Sequence, residues 1–283
     1  MFGKALLIES GGTKSLWCYQ VGGNAVRLQF PGIHPTVQTL AEVQTLLKEV
    51  KMQLPFASEE VNKIYFYGAG CSGKESNAKV EKALAAYFPQ AAMVIRHDLH
   101  AAALALFGQK TGIACILGTG SSAAYYDGKS LTSKVPSLGY VLGDEGSGAD
   151  IGKKFIRDWA YQKVPNALHS KLNAEMPELG EIIERVYQQA NPNRYLAQFA
   201  QILKPYSTEV YVKNLLQESF GHFLAEHVLP YVSNQPLRLG FVGGVAYHYA
   251  DALVLAAQKK GLSLEKSAIL REPTEALIDY HLK

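Results

Sequence analysis

Four short segments combine glycine with hydroxyl or carboxylate side chains, and each lies next to the end of an apolar run that is typical of a strand. They are residues 9–15 (Glu-Ser-Gly-Gly-Thr-Lys-Ser), 118–122 (Gly-Thr-Gly-Ser-Ser), 139–150 (Gly-Tyr-Val-Leu-Gly-Asp-Glu-Gly-Ser-Gly-Ala-Asp) and 240–246 (Gly-Phe-Val-Gly-Gly-Val-Ala). Glycine lets backbone N–H groups approach an anion closely, and a nearby hydroxyl adds a donor. The four segments are therefore candidates for binding a phosphorylated ligand.

The first two segments follow the same physical logic. Residues 9–15 lack the Gly-x4-Gly-Lys-Ser spacing of a P-loop, and no helix follows them as one would in a dinucleotide-binding fold. Residues 118–122 place a similar hairpin at the equivalent point of the second half of the chain. Two such hairpins indicate a clamp on a polyphosphate. Its predicted contacts are Gly11, Gly12, Thr13, Lys14, Gly118, Thr119, Gly120 and Ser121.

The other two segments each leave two interpretations open. Asp144 and Glu145, flanked by glycines, suit water-mediated Mg²⁺ binding or hydrogen bonds to sugar hydroxyls. The alternative, a plain helix N-terminal turn, explains Asp150 well but does not explain why glycines surround Asp144 and Glu145. A strand that ends in Gly243 and Gly244 lets a flat adenine or ribose lie against bare backbone, or is simply a tight turn before a helix.

The elements that must position these segments follow from hydrophobic spacing. Residues 5–8, 15–21 and 25–30 predict three antiparallel strands, the last two joined by a turn at 22–24. Thr36 is the predicted cap of a helix over 37–51. Strands and helices then alternate: strand 61–67, helix 75–87, strand 92–96 and helix 99–107.

The second half repeats the order strand, glycine turn, strand, glycine turn, strand at 112–117, 123–126 and 129–132. The remainder is mainly helical, with helices predicted over 150–160, 178–190, 193–203, 208–228, 247–260 and 272–281 and a strand over 237–242. His222 and His227 on the 208–228 helix are interpreted as surface or hydrogen-bonded core residues. Because residues 112–132 repeat the strand and glycine-turn order of the start of the chain, the sequence predicts two α/β lobes of related topology that face a common cleft.

Composition excludes several classes of protein. Of the 283 residues 48% are hydrophobic and 19% charged, and the net charge of +3 is too small and too evenly spread to indicate a nucleic-acid partner. Cys18, Cys71 and Cys115 are expected to be buried reduced thiols. No run of about 18 apolar residues predicts a membrane helix. The apolar run at 5–8 is too short for a signal peptide, so a cytoplasmic protein is expected.

The four segments, taken in order, resemble the BadF/BadG/BcrA/BcrD ATPase family and, within it, the N-acetylglucosamine kinases. Residues 9–15 and 118–121 resemble the family's two phosphate motifs, and 240–246 its adenosine motif. The most specific match is Gly-Asp-Glu-Gly-Ser-Gly at 143–148. The resemblance covers essentially the whole chain and implies a two-lobed actin-like ATPase (ribonuclease H-like) fold, with a mixed sheet and helices in each lobe.

The resemblance also implies boundaries and partners. Residues 1–108 would form an N-terminal lobe on the acceptor and phosphate side, residues 109–269 a nucleotide lobe, and a helix within 270–283 would pack back on the first. The expected activity is ATP-dependent phosphorylation of an amino sugar, with N-acetylglucosamine 6-phosphate as product and ATP and Mg²⁺ as cofactors. A small sugar is the expected partner. Relatives are often homodimers, although the sequence does not fix the oligomeric state.

The resemblance further implies roles for individual residues. From its position, where a predicted strand meets a helix, Asp98 is either an N-cap or a cleft residue; the resemblance implies the general base that accepts the sugar's hydroxyl proton. Asp144 would contact the sugar or hold Mg²⁺ through water, with Glu9 as a second carboxylate for the metal. Gly139 and Tyr140 correspond to the Gly-Trp or Gly-Tyr pair of the sugar pocket.

Three positions depart from the family pattern. Ser10 replaces the usual first glycine of the phosphate motif, where we expect it to tighten the hairpin slightly. His34 stands where an Asn that touches the sugar is common, and His97 replaces a frequent Asn beside the catalytic Asp. His34 is retained as a predicted sugar contact because an imidazole both donates and accepts hydrogen bonds.

Two further functions remain open at this point. Some members of the family are activator ATPases whose iron–sulfur cluster bridges a dimer with two cysteines from each subunit; the separate positions of Cys18, Cys71 and Cys115 disfavour a cluster. A non-catalytic sugar- or nucleotide-binding pseudo-kinase would tolerate the changes at Ser10 and His34. The carboxylates at Asp98 and Asp144 count against it.

Overall fold

The computed structural model describes residues 4–12, 14–21, 24–232 and 237–282. The chain divides into two compact units. Unit 1 comprises Met1–Ala105 with Pro273–Lys283, and unit 2 comprises Leu106–Glu272. Thr13 and most of the turn expected at 22–24 lie outside the described residues, so the structure tests neither.

The strands are β1 (Lys4–Ser10), β2 (Lys14–Val21), β3 (Asn24–Pro31), β4 (Val61–Gly68), β5 (Ala92–His97), β6 (Gly112–Leu117), β7 (Ser121–Tyr126), β8 (Leu131–Thr132), β9 (Arg238–Val242) and β10 (Ile269–Leu270). The α-helices are α1 (Leu40–Gln53), α2 (Lys74–Ala85), α3 (Asp98–Phe107), α4 (Gly139–Leu142), α5 (Gly148–Ala160), α6 (Asn166–Asn173), α7 (Leu179–Gln188), α8 (Pro192–Ile202), α9 (Val210–Phe223), α10 (Gly244–His248), α11 (Ala250–Lys259) and α12 (Thr274–His281).

The sheet of unit 1 has the order β3-β2-β1-β4-β5, with antiparallel pairing among the first three strands and parallel pairing from β1 onwards. Successive residues of β1 point to opposite faces. Leu6 and Ile8 pack into a core cluster that includes residues of α1 and α2. Leu7 packs on the other face with Leu277 and Ile278 of α12. Helices therefore cover both faces of this sheet.

The sheet of unit 2 has the order β8-β7-β6-β9-β10 when read from its antiparallel end. The central strand, β6, has a hairpin partner on one side and a parallel partner on the other, as β1 has in unit 1. Ile113, Cys115 and Leu117 of β6 belong to the large buried cluster of this unit. The repeated topology confirms the α/β fold class with a mixed, helix-covered sheet in each half.

The predicted cap of α1 is wrong. The helix begins at Leu40, and its cap is Thr39, whose hydroxyl accepts from the N–H of Glu42 while the Glu42 carboxylate accepts from the Thr39 N–H. This reciprocal capping box satisfies two amides that the helix itself leaves unpaired. Thr36, the predicted cap, instead hydrogen-bonds to the ring of His34.

Other boundaries also differ. The long helix predicted over 208–228 is α9 followed by a π-helical turn at Leu224–Val228. The helix predicted over 247–260 is the pair α10 and α11, broken at Tyr249. The short elements α4, α6 and β10 were missed, because two to eight residues carry too little periodicity. Among the described residues, none of the helices has the length and hydropathy that crossing a bilayer requires.

Candidate functional site

The hairpin between β1 and β2 lies at the carboxyl end of β1, as the sequence predicts. Ser10 pairs with Ser15 as the last rung of the ladder, and the Gly11 N–H donates to the Lys14 carbonyl at 3.0 Å. Gly11, Gly12 and Lys14 are exposed. The amide edge of this turn is therefore accessible to an anion, which is what the phosphate assignment requires.

Ser10 does more than the sequence suggests. Its side chain is 1% exposed, and its hydroxyl accepts from the Ile33 N–H at 2.7 Å and donates to the Ile33 carbonyl at 3.1 Å. Glycine, the usual residue here, would make neither bond. The hydroxyl thus joins the β1–β2 hairpin to the loop that carries the next residue, His34.

The His34 ring lies between two glycines. A Cβ on Gly70 would be 2.7 Å from His34 Cε1, and one on Gly12 would be 3.5 Å from His34 Cδ2. His34 Nδ1 is 3.0 Å from the Thr36 hydroxyl. Burial lowers the pKa of His34 although the charge of Asp98 opposes the shift. The ring is therefore neutral near pH 7, with one nitrogen that donates and one that accepts.

Asp98 is the first residue of α3, at the carboxyl end of β5. Its Oδ1 accepts from the Leu99 N–H at 2.8 Å and lies 2.9 Å from His97 Nδ1. A capping side chain would accept from an amide two or three residues further on, so this is not the usual N-cap geometry. Within the described residues both contacts fall on Oδ1, which leaves Oδ2 for a ligand.

His97 pairs with the carboxylate through Nδ1. Burial of the ring lowers its pKa, but the hydrogen bond to Asp98 and the negative charge of that carboxylate outweigh the effect, and the pKa of His97 is raised. An asparagine, common at this position in the resembling family, offers a hydrogen bond without charge. His97 therefore orients Asp98 with a donor that becomes cationic as the pH falls.

Glu9 has a partner that the sequence gives no sign of. The Thr274 hydroxyl, at the first residue of α12, donates to Glu9 Oε2 at 2.7 Å. Thr274 is 4% exposed and lies 265 residues away along the chain. The C-terminal helix of unit 1 therefore helps to orient a carboxylate beside the β1–β2 hairpin.

In unit 2 the second hairpin joins β6 to β7. The Gly118 N–H donates to the Gly120 carbonyl at 3.0 Å, and Thr119 is exposed at the tip. The first amides of α5 hold the hairpin, because Gly148 N–H donates to Gly118 O at 2.8 Å and Ala149 N–H to Thr119 O at 3.1 Å. The Ser121 hydroxyl is enclosed and has no hydrogen-bond partner in the described part of the chain.

Asp144 lies against this hairpin in a strained backbone conformation. Its φ is 59°, in the left-handed region that non-glycine residues rarely adopt. The carboxylate accepts from the Ser121 N–H at 3.4 Å, and a Cβ on Gly120 would be 2.9 Å from Asp144 Oδ2. Burial raises the pKa of Asp144. A cation or a ligand hydroxyl at the carboxylate would offset that burial.

The residues that follow form the helix N-terminal turn that the sequence left as an alternative. Ser147 caps α5 by accepting from the Asp150 N–H at 3.1 Å. Asp150 Oδ2 accepts from the Gly146 N–H at 3.0 Å and lies 3.2 Å from Lys154 Nζ. The turn accounts for Asp150, whereas Asp144 lies outside it.

The Glu145 side chain contacts His227, whereas the Asp144 side chain contacts the 118–121 hairpin. His227 Nε2 is 2.9 Å from Glu145 Oε2, and the His227 side chain is 10% exposed. Burial opposes ionisation of Glu145, but the hydrogen bond from His227 outweighs it and the pKa of Glu145 is lowered. The core-histidine interpretation is right for His227, and His222 is exposed. The partner could not be inferred, since 82 residues separate the two.

Gly139 and Tyr140 begin the short helix α4. Gly139 has φ of 72°, and the Tyr140 carbonyl accepts from the Lys153 ammonium of α5. Both residues are partly exposed. The partial exposure of Tyr140 agrees with the predicted sugar contact.

Gly243 is required by packing. It has φ of 127°, and a Cβ there would be 2.3 Å from the Leu117 carbonyl oxygen. Its own N–H donates to Leu270 O at 2.9 Å. Gly244 has no atom within 4 Å of its Cβ position. The glycine pair thus lies directly beside the second hairpin, with Gly244 turned to open space.

The fold therefore gathers the predicted residues into two groups. Unit 1 brings together the β1–β2 hairpin, His34 and Asp98. Unit 2 brings together the 118–121 hairpin, Asp144 and Gly243. Three or more His, Cys, Asp or Glu side chains do not gather into a metal cluster anywhere in the described residues. Single carboxylates such as Glu9 and Asp144 fit Mg²⁺, which proteins hold with one or two carboxylates, water and phosphate oxygens.

Comparison with known proteins shows which family this chain is similar to. No family model matches the chain, so the wider BadF/BadG/BcrA/BcrD assignment stays a prediction. An N-acetylmuramic acid/N-acetylglucosamine kinase from Clostridium acetobutylicum is 28% identical over 123 residues, which is 42% of this chain and 40% of that enzyme. The match thus spans less than half of the curated relative.

Two solved structures match over nearly the whole chain. A candidate N-acetylglucosamine kinase from Chromobacterium violaceum shares the fold, with 16% identity, a TM-score of 0.67 and coverage of 97% of both chains. A candidate N-acetylglucosamine kinase from Porphyromonas gingivalis is 38% identical over 98% of both chains, with a TM-score of 0.90. Since that identity extends over the full fold, this chain belongs to the N-acetylglucosamine kinase-like family.

Proposed function

We propose that the protein is an ATP-dependent sugar kinase that phosphorylates an amino sugar, with N-acetylglucosamine converted to its 6-phosphate. The observation that carries the proposal is the geometry of Asp98, a strand-end carboxylate whose Oδ1 is held by Leu99 and His97 while Oδ2 is left for a ligand. A general base needs such a fixed and partly open carboxylate.

In the proposed reaction Asp98 accepts the proton of the sugar hydroxyl as its oxygen attacks the γ-phosphorus. His97 keeps the carboxylate oriented, and neutral His34 contacts a sugar hydroxyl through Nε2, since Nδ1 faces Thr36. In unit 2, Gly118, Thr119 and Gly120 contact phosphate oxygens, and Gly244 provides bare backbone for the nucleoside. Positioning and charge neutralisation supply most of the catalysis in phosphoryl transfer.

Magnesium fits this scheme as the neutralising ion. Glu9, oriented by Thr274 in unit 1, and Asp144, beside the second hairpin in unit 2, are each a candidate carboxylate for holding it through water. When bound, Mg²⁺ neutralises charge on the β- and γ-phosphate oxygens. The N-acetylglucosamine assignment is supported by the substrates in the names of the relatives and by the hydrogen-bonding capacity of His34.

Replacement of Asp98 tests the catalytic part. Asp98→Asn keeps the shape and the Leu99 contact but cannot accept a proton, so we expect kcat to fall by about 10²- to 10⁴-fold. Binding of ADP should not change. Asp251→Asn, at an exposed position of α11, is the matched control and should keep full activity. ADP release by a coupled assay is the measurement, and near-normal turnover by Asp98→Asn would refute the assignment.

The acceptor needs a separate test. ADP release is measured with glucose, glucosamine, N-acetylglucosamine and N-acetylmuramic acid, and the phosphorylated position is determined by NMR. We expect the largest kcat/KM for N-acetylglucosamine. Preference for an unacetylated hexose would keep the sugar-kinase proposal and overturn the choice of acceptor; no turnover with any sugar would overturn both.

A further inference from the structure

One face of α9 and the turn after it supports the segment 143–148. The Ser219 carbonyl lies 3.4 Å, and Phe223 Cβ 2.9 Å, from the position that a Cβ on Gly146 would occupy. One turn further on, His227 Nε2 lies 2.9 Å from Glu145 Oε2. These supports are spaced four residues apart, so they follow the same face of the helix.

A π-helical turn at Leu224–Val228 places the last of these supports. The Leu229 N–H donates to the Leu224 carbonyl, five residues back, which widens the helix. His227 lies within this turn, four residues after Phe223 and on the same side of the helix. The two rings stack with centroids 5.2 Å apart at 20°. Single π turns inside helices occur frequently at functional sites.

Glu145 and Asp144 are consecutive, so fixing one constrains the other. The Glu145 carboxylate is held by His227, and its neighbour Asp144 has φ of 59°. A left-handed aspartate persists only where its surroundings hold it. From this conformation the Asp144 carboxylate accepts from the Ser121 N–H, and the Asp144 carbonyl accepts from Ser147 N–H at 3.1 Å.

We propose that His227 is a positioning residue: its hydrogen bond to Glu145 keeps Asp144 in the left-handed conformation that sets its carboxylate against the 118–121 hairpin. The kinetic consequence rests on the proposed kinase function. The conformational consequence does not, so the two can be tested separately.

The conformational test uses hydrogen exchange on the ligand-free full chain. His227→Leu removes the donor at similar volume, and we expect the amides of 143–148 to exchange about tenfold faster or more, as befits loss of a hydrogen bond to a carboxylate. His227→Gln keeps an N–H donor and should exchange as the wild type does. His222→Leu, on the exposed face of α9, is the matched control and should change nothing.

Exchange in β6, the buried central strand of the same unit, is the internal reference for exchange at 143–148. Unchanged exchange at 143–148 in His227→Leu, or equal acceleration in β6, would overturn the proposal, since the second result means general destabilisation. If His227→Leu does not fold, Glu145→Ala removes the same bond from the other side. Glu145→Ala must then accelerate amide exchange at 143–148 and leave exchange in β6 unchanged. If it does not, the proposal is wrong.

The kinetic test measures kcat by ADP release. Loss of the bond should lower kcat about tenfold to a hundredfold in both His227→Leu and Glu145→Ala, and the double variant should be no slower than the slower single one. Losses that multiply would show that His227 does not act through Glu145. A wild type that phosphorylates no sugar would refute the proposed function, and the exchange result would still decide the role of His227.

Discussion

Two departures from the family motif prove to be linked at the level of single residues. Ser10, in place of glycine, hydrogen-bonds to both backbone groups of Ile33, and His34 follows directly. The His34 ring then fits between Gly12 and Gly70. The expectation that Ser10 tightens the phosphate hairpin missed this bridge, because the partner is 23 residues away and hidden in a loop.

Ser10→Ala should loosen that loop. The Ile33 N–H would be left buried without an acceptor, which costs about 1–3 kcal/mol of the free energy of unfolding. The KM for the sugar should rise while the Kd for ADP stays the same. Ser72→Ala, at an exposed position in the same unit, should change stability by no more than about 0.5 kcal/mol. Urea unfolding and steady-state kinetics measure both effects, and an unchanged midpoint would contradict the bridging role.

The His97–Asp98 pair makes stability depend on pH. The pKa of His97 is raised above its usual 6.5. The pair therefore stabilises the fold fully below pH 6.5, and its contribution is lost as the pH rises through the raised pKa. We expect the free energy of unfolding of the wild type to exceed that of His97→Gln by about 1 kcal/mol at low pH and by less at high pH.

That comparison isolates His97 because the two proteins differ only at this residue, whereas in each protein alone other histidines change the stability with the opposite sign. The pKa of His34 is lowered by burial, and that of His281 to about 4 by burial and by the charge of Lys63, so their contributions are lost as the pH falls. Urea unfolding of both proteins from pH 5.5 to 8.5 is the measurement. A difference in unfolding free energy between wild type and His97→Gln that grows with pH would contradict the stabilising role of the His97–Asp98 pair.

At the level of elements, the junction of β9 and α10 gives different structural roles to two consecutive glycines, Gly243 and Gly244, that look alike in the sequence. Gly243 adopts a positive φ and lies against the Leu117 carbonyl, while nothing approaches the Cβ position of Gly244. Gly243 therefore packs β9 beside the second hairpin. Gly244 is the member of the pair that a nucleoside could contact.

Alanine at the two positions should give opposite results. Gly243→Ala forces a Cβ to 2.3 Å from a carbonyl oxygen at φ of 127°, so we expect about 2–5 kcal/mol of destabilisation. Gly244→Ala should leave stability unchanged or raise it by up to about 1 kcal/mol, but weaken ADP binding measured by calorimetry. Unaltered ADP affinity in Gly244→Ala would remove Gly244 from the nucleotide site.

At the level of the whole molecule, the repeated sheet order assigns each unit one hairpin and one set of candidate contacts. Unit 1 contains His34 and Asp98; unit 2 contains the 118–121 hairpin and Gly244. The proposed function therefore assigns the acceptor mainly to unit 1 and the nucleotide mainly to unit 2, with Gly139 and Tyr140 as sugar contacts in unit 2.

Ligand-dependent hydrogen exchange tests this division. At a hundredfold excess over its Kd, MgADP should slow exchange at 118–121 and 243–246 by up to about a hundredfold. N-acetylglucosamine should slow exchange at 33–36, 97–99 and 139–140. AMP, which lacks the β-phosphate, is the matched control and should leave 118–121 unprotected. Protection by MgADP confined to unit 1 would contradict the assignment.

Much of the fold follows from patterns that are local in the chain. The apolar runs of β1 and β6, the two hairpins and the long apolar stripe of α9 predict two related α/β halves, and the sheets confirm them. Boundaries that depend on one competing hydrogen bond were wrong, as at Thr36, whose hydroxyl goes to His34 while Thr39 caps α1. The residues of 9–15, 118–122 and 143–148 were recognisable as candidate site segments for the same local reason.

From the sequence it was possible to choose the candidate site segments, because glycine, hydroxyl and carboxylate residues cluster within a few positions of one another. How those segments are held became visible only in the folded chain. The Ser10 bridge to Ile33, the Thr274 bond to Glu9 and the His227 bond to Glu145 span 23, 265 and 82 residues. Such contacts depend on which elements the packed core brings together, and no local pattern encodes them.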